Sequence, residues 1–305
     1  MSARTLRELF VNRDRQLVAF RRMIEGQSRR RIMLVQSGPG TGKSWLLRMF
    51  ALETAARMLP TVQIDFTDGQ AYDALALVRR CRDALGPEHF NAVTQALNDV
   101  TTARVAISAA LPPQPPPISV TVGSDNTLTD SNIEVGTIIK DNNFVLQTDN
   151  PLVRQAAEDR INQAFFSSLK TLTLATRPVF LFDTYERTSL ETDRWLPSVT
   201  DRWITGELLT RIMDGRLTNA VAVVAGTRLP EFGAEWNEVL GRMELELLDC
   251  VYVTEYLRER LGLTVITDAE ATRLCEATGG NPQIMALIGD NLEQANKPKV
   301  QDEDW

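Results

Sequence analysis

The stretch RIMLVQSGPGTGKSWLLRMF, residues 31–50, constrains this chain more than any other. A short apolar run, Arg31 to Gln36, leads into a glycine-rich loop, and from Trp45 to Met58 apolar residues recur at helical spacing. That order predicts a strand, a tight loop, and a helix whose N-terminus faces the loop. Gly40, Gly42, Lys43 and Ser44 fit the pattern Gly, four residues, Gly-Lys-Ser/Thr, while Ser37 stands where the first glycine is expected. Glycine lets backbone N–H groups turn inward without a Cβ in the way, and the helix adds its positive end, so such a loop suits phosphate. In such a cradle Lys43 reaches the β and γ phosphates and Ser44 ligates Mg2+. Ser37 is compatible with this role if it sits at the loop entry with ordinary dihedral angles; a bare turn is the alternative.

Beyond the loop, TVQIDFTD (Thr61 to Asp68) alternates as a strand does, and AYDALALVRRCRDAL (Ala71 to Leu85) reads as an amphipathic helix. Between about residues 101 and 150 the alternation stops. Pro112, Pro113, Pro115, Pro116 and Pro117 precede ISVTV and a Thr/Asp/Asn/Gly-rich stretch, which reads as a stiff linker and an insertion with one or two hairpins. Such an insertion serves either as a surface loop or as a docking or oligomerisation element. Pattern resumes at Pro151 with a long helix to Leu172, proline occupying its first turn. RPVFLFD (Arg177 to Asp183) and NAVAVVAG (Asn219 to Gly226) read as buried strands. Apolar strands separated by helices predict an α/β fold, a parallel sheet covered by helices on both faces. After Leu247 the sequence is helical, with its clearest break at TGGNP (Thr278 to Pro282). The expected organisation is a nucleotide-binding domain over 1–246, interrupted at about 101–150, and a small helical domain over 247–305.

At 305 residues, 43% hydrophobic and 24% charged, the chain can bury one large core and a smaller one. A formal charge of -7 speaks against a dedicated nucleic-acid binder, whose phosphate-tracking surface needs clustered Lys and Arg. The triplet Arg29, Arg30, Arg31 is read as a solvated turn. Cys81, Cys250 and Cys275 are odd in number and widely spaced, so neither a disulfide framework nor a zinc site is expected. With no apolar run of membrane length and no signal-like N-terminus, a cytoplasmic protein without a membrane partner is expected. His89 is the single histidine, which leaves little material for Ser-His, Cys-His or His-metal chemistry.

FLFDTYE supplies the second element of a site. Asp183 ends an apolar strand, where an acid can hold the water shell of Mg2+ opposite Ser44. Glu186, three residues on, is spaced to orient or deprotonate an attacking water. The alternatives are a helix cap for Asp183 and a solvated side chain for Glu186.

With these residues the chain resembles the STAND class of P-loop NTPases, of NACHT and NB-ARC type and related to AAA+ proteins. In that class four apolar residues precede an acid, a small residue, and a second acid two residues later; most AAA+ proteins place two acids side by side. LFVNRDRQL (Leu9 to Leu17) resembles the entry motif of the class, apolar-Gly-Arg-Glu, which lies against the adenine; Asn12 stands at the glycine and Asp14 at the glutamate. VVAGTR (Val223 to Arg228) resembles its sensor strand, whose last residue, here Arg228, faces the γ-phosphate. GNP (Gly280 to Pro282) resembles the Gly-x-Pro motif of its helical lid, whose proline packs near the adenine. The resemblance covers about residues 9–290 without the insertion.

The resemblance implies a P-loop NTPase fold with a small C-terminal helical lid, and ATP or ADP with Mg2+ as ligands. It implies nucleotide contacts from Val11 and Arg13, from Ser37, Gly38, Pro39, Gly40, Thr41, Gly42, Lys43, Ser44 and Trp45, and from Arg228 and Pro282. Lys43, Asp183 and Glu186 would carry slow ATP hydrolysis, with Ser44 and Asp183 on the metal. It further implies a switch, in which ADP holds the lid closed and exchange for ATP drives assembly that activates an effector, in bacterial immunity or signalling. Adenine over guanine also follows from the resemblance, since no Asn-Lys-x-Asp motif is visible. The entry motif and the lid lie near the two ends, leaving no room for an effector, a winged helix or a repeat sensor. The chain is therefore expected to be either an excised core or a subunit that acts on separate partner proteins in a nucleotide-dependent homo- or hetero-oligomer. Met1 and the acidic end QDEDW favour the second. An AAA+ motor or loader working on DNA or protein is the alternative, and would need an arginine finger in trans and a lid arginine, for which Arg273 is the nearest candidate. A third reading, which Ser37 permits, is a pseudo-ATPase that keeps nucleotide as a structural cofactor.

Overall fold

The structure, a computed structural model, describes residues 10–68, 72–99 and 151–295; the insertion anticipated at about 101–150 lies outside them. The first helix, α1 (Asp14–Ile24), buries Leu17, Phe20, Met23 and Ile24 on one face and carries Asp14 in its first turn and Arg21 and Arg22 in its last, the charge order that the helix dipole favours. Strand β1 (Ile32–Gln36) runs into the glycine loop, and α2 (Lys43–Ala55) leaves it. Strand β2 (Thr61–Asp65), α3 (Ala74–Leu85) and α4 (Pro151–Ala175) follow. Asp73 starts α3 by accepting the Ala76 N–H at 2.7 Å, the capping bond that a short acidic side chain supplies.

After β3 (Val179–Asp183) comes a continuous helix, α5, made of Val199–Arg202, a π-helical middle Trp203–Leu209 and a last turn Thr210–Met213. Strands β4 (Val221–Gly226) and β5 (Leu240–Glu244) complete the sheet. All its pairings are parallel, in the order β2-β3-β4-β1-β5. β5 escapes the sequence analysis because it is an edge strand: of LGRME only Leu240 is buried, so the run lacks the continuous apolar character of the inner strands.

Side chains alternate across the inner strands and both faces are covered. Ile32, Leu34, Phe180, Phe182, Ala222 and Val224 join one buried cluster with α3, α4 and α5. Met33, Val35, Val179, Leu181, Val221 and Val223 join another with α1 and α2, where Phe20 and Phe50 stack with ring centroids 4.0 Å apart. Truncating either ring would cost about 3–5 kcal/mol. Because every strand points the same way, Gln36, Asp65, Asp183 and Gly226 all end at one edge of the sheet, the edge at which open α/β sheets bind ligands.

The C-terminal part is helical. α6 (Cys250–Glu255) continues through a wider turn, Tyr256–Arg260. α7 (Asp268–Thr278) opens with a capping box between Thr267 and Glu270, and α8 (Pro282–Ala295) follows. Leu248, Val253, Leu257, Ala271 and Met285 are among the residues of a separate small core, against which Val11 of the N-terminal segment also packs.

Two expectations are corrected here. Cys250 and Cys275 form a disulfide. They are 25 residues apart in sequence, but the start of α6 lies against the end of α7, and that proximity is invisible in spacing. The odd cysteine is Cys81, fully buried, whose thiol is pushed up to about 12 by burial. Of the arginine triplet, Arg29 and Arg30 are exposed, but Arg31 is only half-exposed: its guanidinium donates to the carbonyls of Leu217 (3.1 Å) and Thr218 (2.9 Å), and burial lowers its pKa. Among the described residues no helix is long and apolar enough to cross a membrane.

Candidate functional site

The loop between β1 and α2 is shaped by two left-handed glycines, Gly40 at φ 75° and Gly42 at φ 95°. A side chain on Gly40 would also strike Asn281, whose Nδ2 lies 2.6 Å from the position of a Cβ. Ser37, by contrast, is not among the residues with positive φ, so a serine costs the backbone nothing there. Its hydroxyl shares a 2.6 Å hydrogen bond with that of Thr41, which donates in turn to the Gly38 carbonyl at 2.9 Å. Lys43 folds back along the loop, its Nζ donating to the carbonyls of Ser37 (2.8 Å) and Gly38 (2.7 Å). Burial lowers its pKa, against the opposing fields of Glu186 and Asp183.

The N-terminal segment reaches the loop through Arg13, which is 6% exposed. Its guanidinium donates to the carbonyls of Thr41 (3.1 Å), Glu246 (2.7 Å) and Asn12 (3.0 Å), so one side chain ties together the entry segment, the glycine loop and the chain leaving the sheet. Charge-assisted bonds of this kind contribute about 1.5–3 kcal/mol each. Burial holds the Arg13 pKa down, but an arginine remains charged. Asn12 turns the chain into Arg13 with φ 51°, a left-handed conformation that asparagine tolerates better than most residues.

The C-terminal helices close over the same loop. Asn281 caps α8, its Oδ1 accepting the N–H groups of Gln283 (2.9 Å) and Ile284 (3.3 Å). The Gln283 N–H also donates to the Gly40 carbonyl at 3.3 Å. Gly280 lies at φ 67°, and a Cβ on it would fall 1.9 Å from the Leu248 carbonyl oxygen; only glycine fits. Between these parts lies a cavity of about 300 Å³ lined by Phe10, Val11, Arg13, the residues Gly40 to Trp45, Leu248, Tyr256, Pro282, Gln283, Met285 and Ala286. Its loop side is polar and rich in N–H donors, and its other walls are mostly apolar.

Of the candidate residues, the structure brings Val11, Arg13, Gly40, Thr41, Gly42, Lys43, Ser44, Trp45 and Pro282 to one cavity. Ser37, Gly38 and Pro39 belong to the loop without lining that cavity. Asp183, 4% exposed, sits beside the loop near the Ser44 side chain and accepts the Thr184 N–H at 2.8 Å. Burial raises its pKa, and the neighbouring Ser44 side chain and the Thr184 N–H oppose the rise. Glu186 accepts the Thr227 N–H at 2.9 Å, at the end of β4.

Arg228 is not directed at the cavity. It donates to the carbonyls of Glu191 (2.6 Å) and Thr192, lies 5.7 Å from the centroid of the Trp195 ring, and leaves its buried Nε without a partner. Trp195 in turn stacks on Tyr185, ring centroids 5.9 Å apart. A residue at the end of a strand can be placed from sequence, but the direction of its long side chain depends on a loop, here 189–197, that carries no pattern.

The apolar walls contributed by Phe10, Leu248, Tyr256 and Met285 had no signal in the sequence, because core-like residues look alike whether they meet a ligand or each other. Asn281 had one, as the middle residue of Gly-Asn-Pro before a helix. Compared with known proteins, the chain matches no family model and no curated protein.

Proposed function

We propose that this chain binds an adenine nucleotide with Mg2+ and acts as a STAND-type switch, a P-loop ATPase of slow turnover that governs the assembly or activation of separate partner proteins. One observation carries the reading: a single cavity is walled by the glycine loop, the entry segment and the C-terminal helices. A nucleotide filling it would touch all three at once, so its phosphates and its base would be felt by separate parts of the chain. That is the differential contact which a ligand needs in order to shift a conformational equilibrium.

The residues suit the chemistry. The Lys43 ammonium, resting on two carbonyl oxygens, would exchange them for phosphate oxygens, a charge-assisted contact roughly twice as strong as a neutral one. The Ser44 hydroxyl and Asp183 carboxylate, which lie near each other, are hard oxygen donors that would hold Mg2+, an ion that keeps most of its waters and needs few protein ligands. When bound, the ion supplies neutralisation of charge on the β and γ phosphates. Glu186 would accept a proton from, or orient, the attacking water. The first turn of α2 offers its free N–H groups and positive dipole end to the phosphates.

The test is to denature freshly purified protein and identify the released nucleotide by chromatography. Near-stoichiometric ADP is the expected result, with Lys43→Ala expected to lose it through an affinity drop of about a hundredfold. Protein that arrives empty and hydrolyses added ATP rapidly would favour a motor instead. Absence of any ATP or ADP affinity would overturn the nucleotide reading altogether.

A further inference from the structure

Thr184 joins Asp183 to the turn that carries Glu186, and its backbone is left-handed, with φ 55° and ψ 41°. A β-branched residue avoids that region, because its Cβ crowds a neighbouring carbonyl. A conformation of this kind persists only when the surroundings hold it. Here the Thr184 hydroxyl donates to Asp65 Oδ1 at 3.1 Å, while its N–H donates to Asp183 Oδ1. Asp65 is the register partner of Asp183 across β2 and β3. It is itself fixed, since the same Oδ1 accepts the Thr67 N–H at 3.0 Å.

The left-handed residue reverses the chain at once. A short 3-10 turn, Tyr185–Thr188, follows it, and the Arg187 N–H returns to the Thr184 carbonyl at 3.1 Å. Glu186 is thereby carried over the end of β4, where its Oε2 accepts the Thr227 N–H and lies 2.7 Å from where a Cβ on Gly226 would be. Asp65 does not line the cavity; its route to the site runs through Thr184.

We infer that Asp65 is a positioning residue: by holding Thr184 left-handed it sets where the Glu186 carboxylate stands relative to Asp183 and the glycine loop. Its meaning for hydrolysis rests on the proposed ATPase reading, whereas the placement of Glu186 exists without nucleotide. Two consequences distinguish this role from a direct electrostatic one. A neutral acceptor at position 65 should serve as well as a carboxylate, and a glycine at position 184 should make the acceptor unnecessary, since glycine adopts the left-handed conformation unaided.

The experiment compares Asp65→Ala, Asp65→Asn, Thr184→Gly and the double variant Asp65→Ala/Thr184→Gly in the full chain. Hydrogen exchange at the Thr227 amide is read first, in nucleotide-free protein. Asp65→Ala should raise it about tenfold, Asp65→Asn should leave it near wild type, and adding Thr184→Gly to Asp65→Ala should restore protection. ATP turnover and ATP affinity are then measured separately. Asp65→Ala should lower kcat about tenfold to a hundredfold with little change in Kd, and the same two changes should rescue it. Unchanged exchange in Asp65→Ala, or a loss that neither asparagine at 65 nor glycine at 184 reverses, overturns the inference. If wild type itself binds no nucleotide, the ATPase reading falls, and the exchange measurement alone decides whether Asp65 places Glu186.

Discussion

Around the sheet, apolar side chains are buried on both faces and aromatic rings stack on each side, Phe20 on Phe50 and Phe90 on Phe165. In the helices α6 to α8 the buried cluster is small, and a disulfide and a capping box add order that apolar area alone does not supply. The seam between the two regions differs from both. It includes the Arg13 guanidinium on the Glu246 carbonyl, the Gln283 N–H on the Gly40 carbonyl, and Val11 packed against the small core. Such hydrogen bonds can be exchanged for water at a net cost of about 1 kcal/mol for the backbone bond and about 1.5–3 kcal/mol for one from the guanidinium, less than separating packed cores would cost. The helices can therefore keep their internal structure while their seat on the glycine loop changes.

The comparison breaks most visibly at Gly280. A Cβ there meets the Leu248 carbonyl oxygen at 1.9 Å and the backbone is left-handed, so Gly280→Ala should cost about 3–4 kcal/mol. Hydrogen exchange should show the loss in residues 248–295, with the sheet still protected; equal loss in both regions would mean that they are one cooperative unit. Next is the disulfide, which closes a 25-residue separation and should contribute about 3 kcal/mol to the helical region. Cys250→Ser with Cys275→Ser, or reduction by a dithiol, should lower the urea midpoint of that region and leave the sheet's midpoint in place.

A smaller effect is expected at the seam itself. Arg13→Ala leaves the Thr41 and Glu246 carbonyls without their donor and should cost about 2 kcal/mol, read as a loss of nucleotide affinity together with faster exchange at Thr41. An affinity equal to wild type would show that the seam forms without Arg13.

The smallest effect belongs to the sheet side alone. The Arg21 guanidinium, paired with Glu53 through both carboxylate oxygens, and after it Arg57 hold the Glu53 carboxyl at about 2 against an ordinary 4.5. A depressed folded pKa gives stability that is full above about pH 4.5 and lost as pH falls toward 2. With both arginines partly exposed, about 1–2 kcal/mol is at stake. Acid titration of the unfolding midpoint should show it, and Glu53→Gln should flatten the curve in that window; an unchanged curve would mean that the pair does not couple α1 to α2.

The glycine loop, its flanking strand and helix, and the inner strands were legible because their chemistry is local. A left-handed turn needs glycine, and a strand covered on both faces needs an unbroken apolar run. Asn12 stands where the resemblance expects glycine, and its backbone is left-handed, a conformation that asparagine tolerates better than most residues; that Thr184 is left-handed as well could not be read from its identity. What was not legible is non-local. β5 shows only a half-buried edge, Cys250 and Cys275 meet through the packing of two helices, and Arg228 takes its direction from the carbonyls of a patternless loop.

The position of β1 between β4 and β5 governs how the chain can be made. Ile32 pairs with Ala222 on one side and with Leu240 on the other, so the strand that carries the glycine loop has no sheet partner until almost the whole large domain has been synthesised. At ribosomal speeds of roughly 5–20 residues per second, that edge stays open for about 10–40 seconds. A parallel sheet with contacts this distant in sequence folds slowly, and β1, buried on both faces in the finished sheet, waits all that time without a strand neighbour. Interruption of synthesis anywhere before Val221 leaves a chain in which β1 has a sheet partner on neither side.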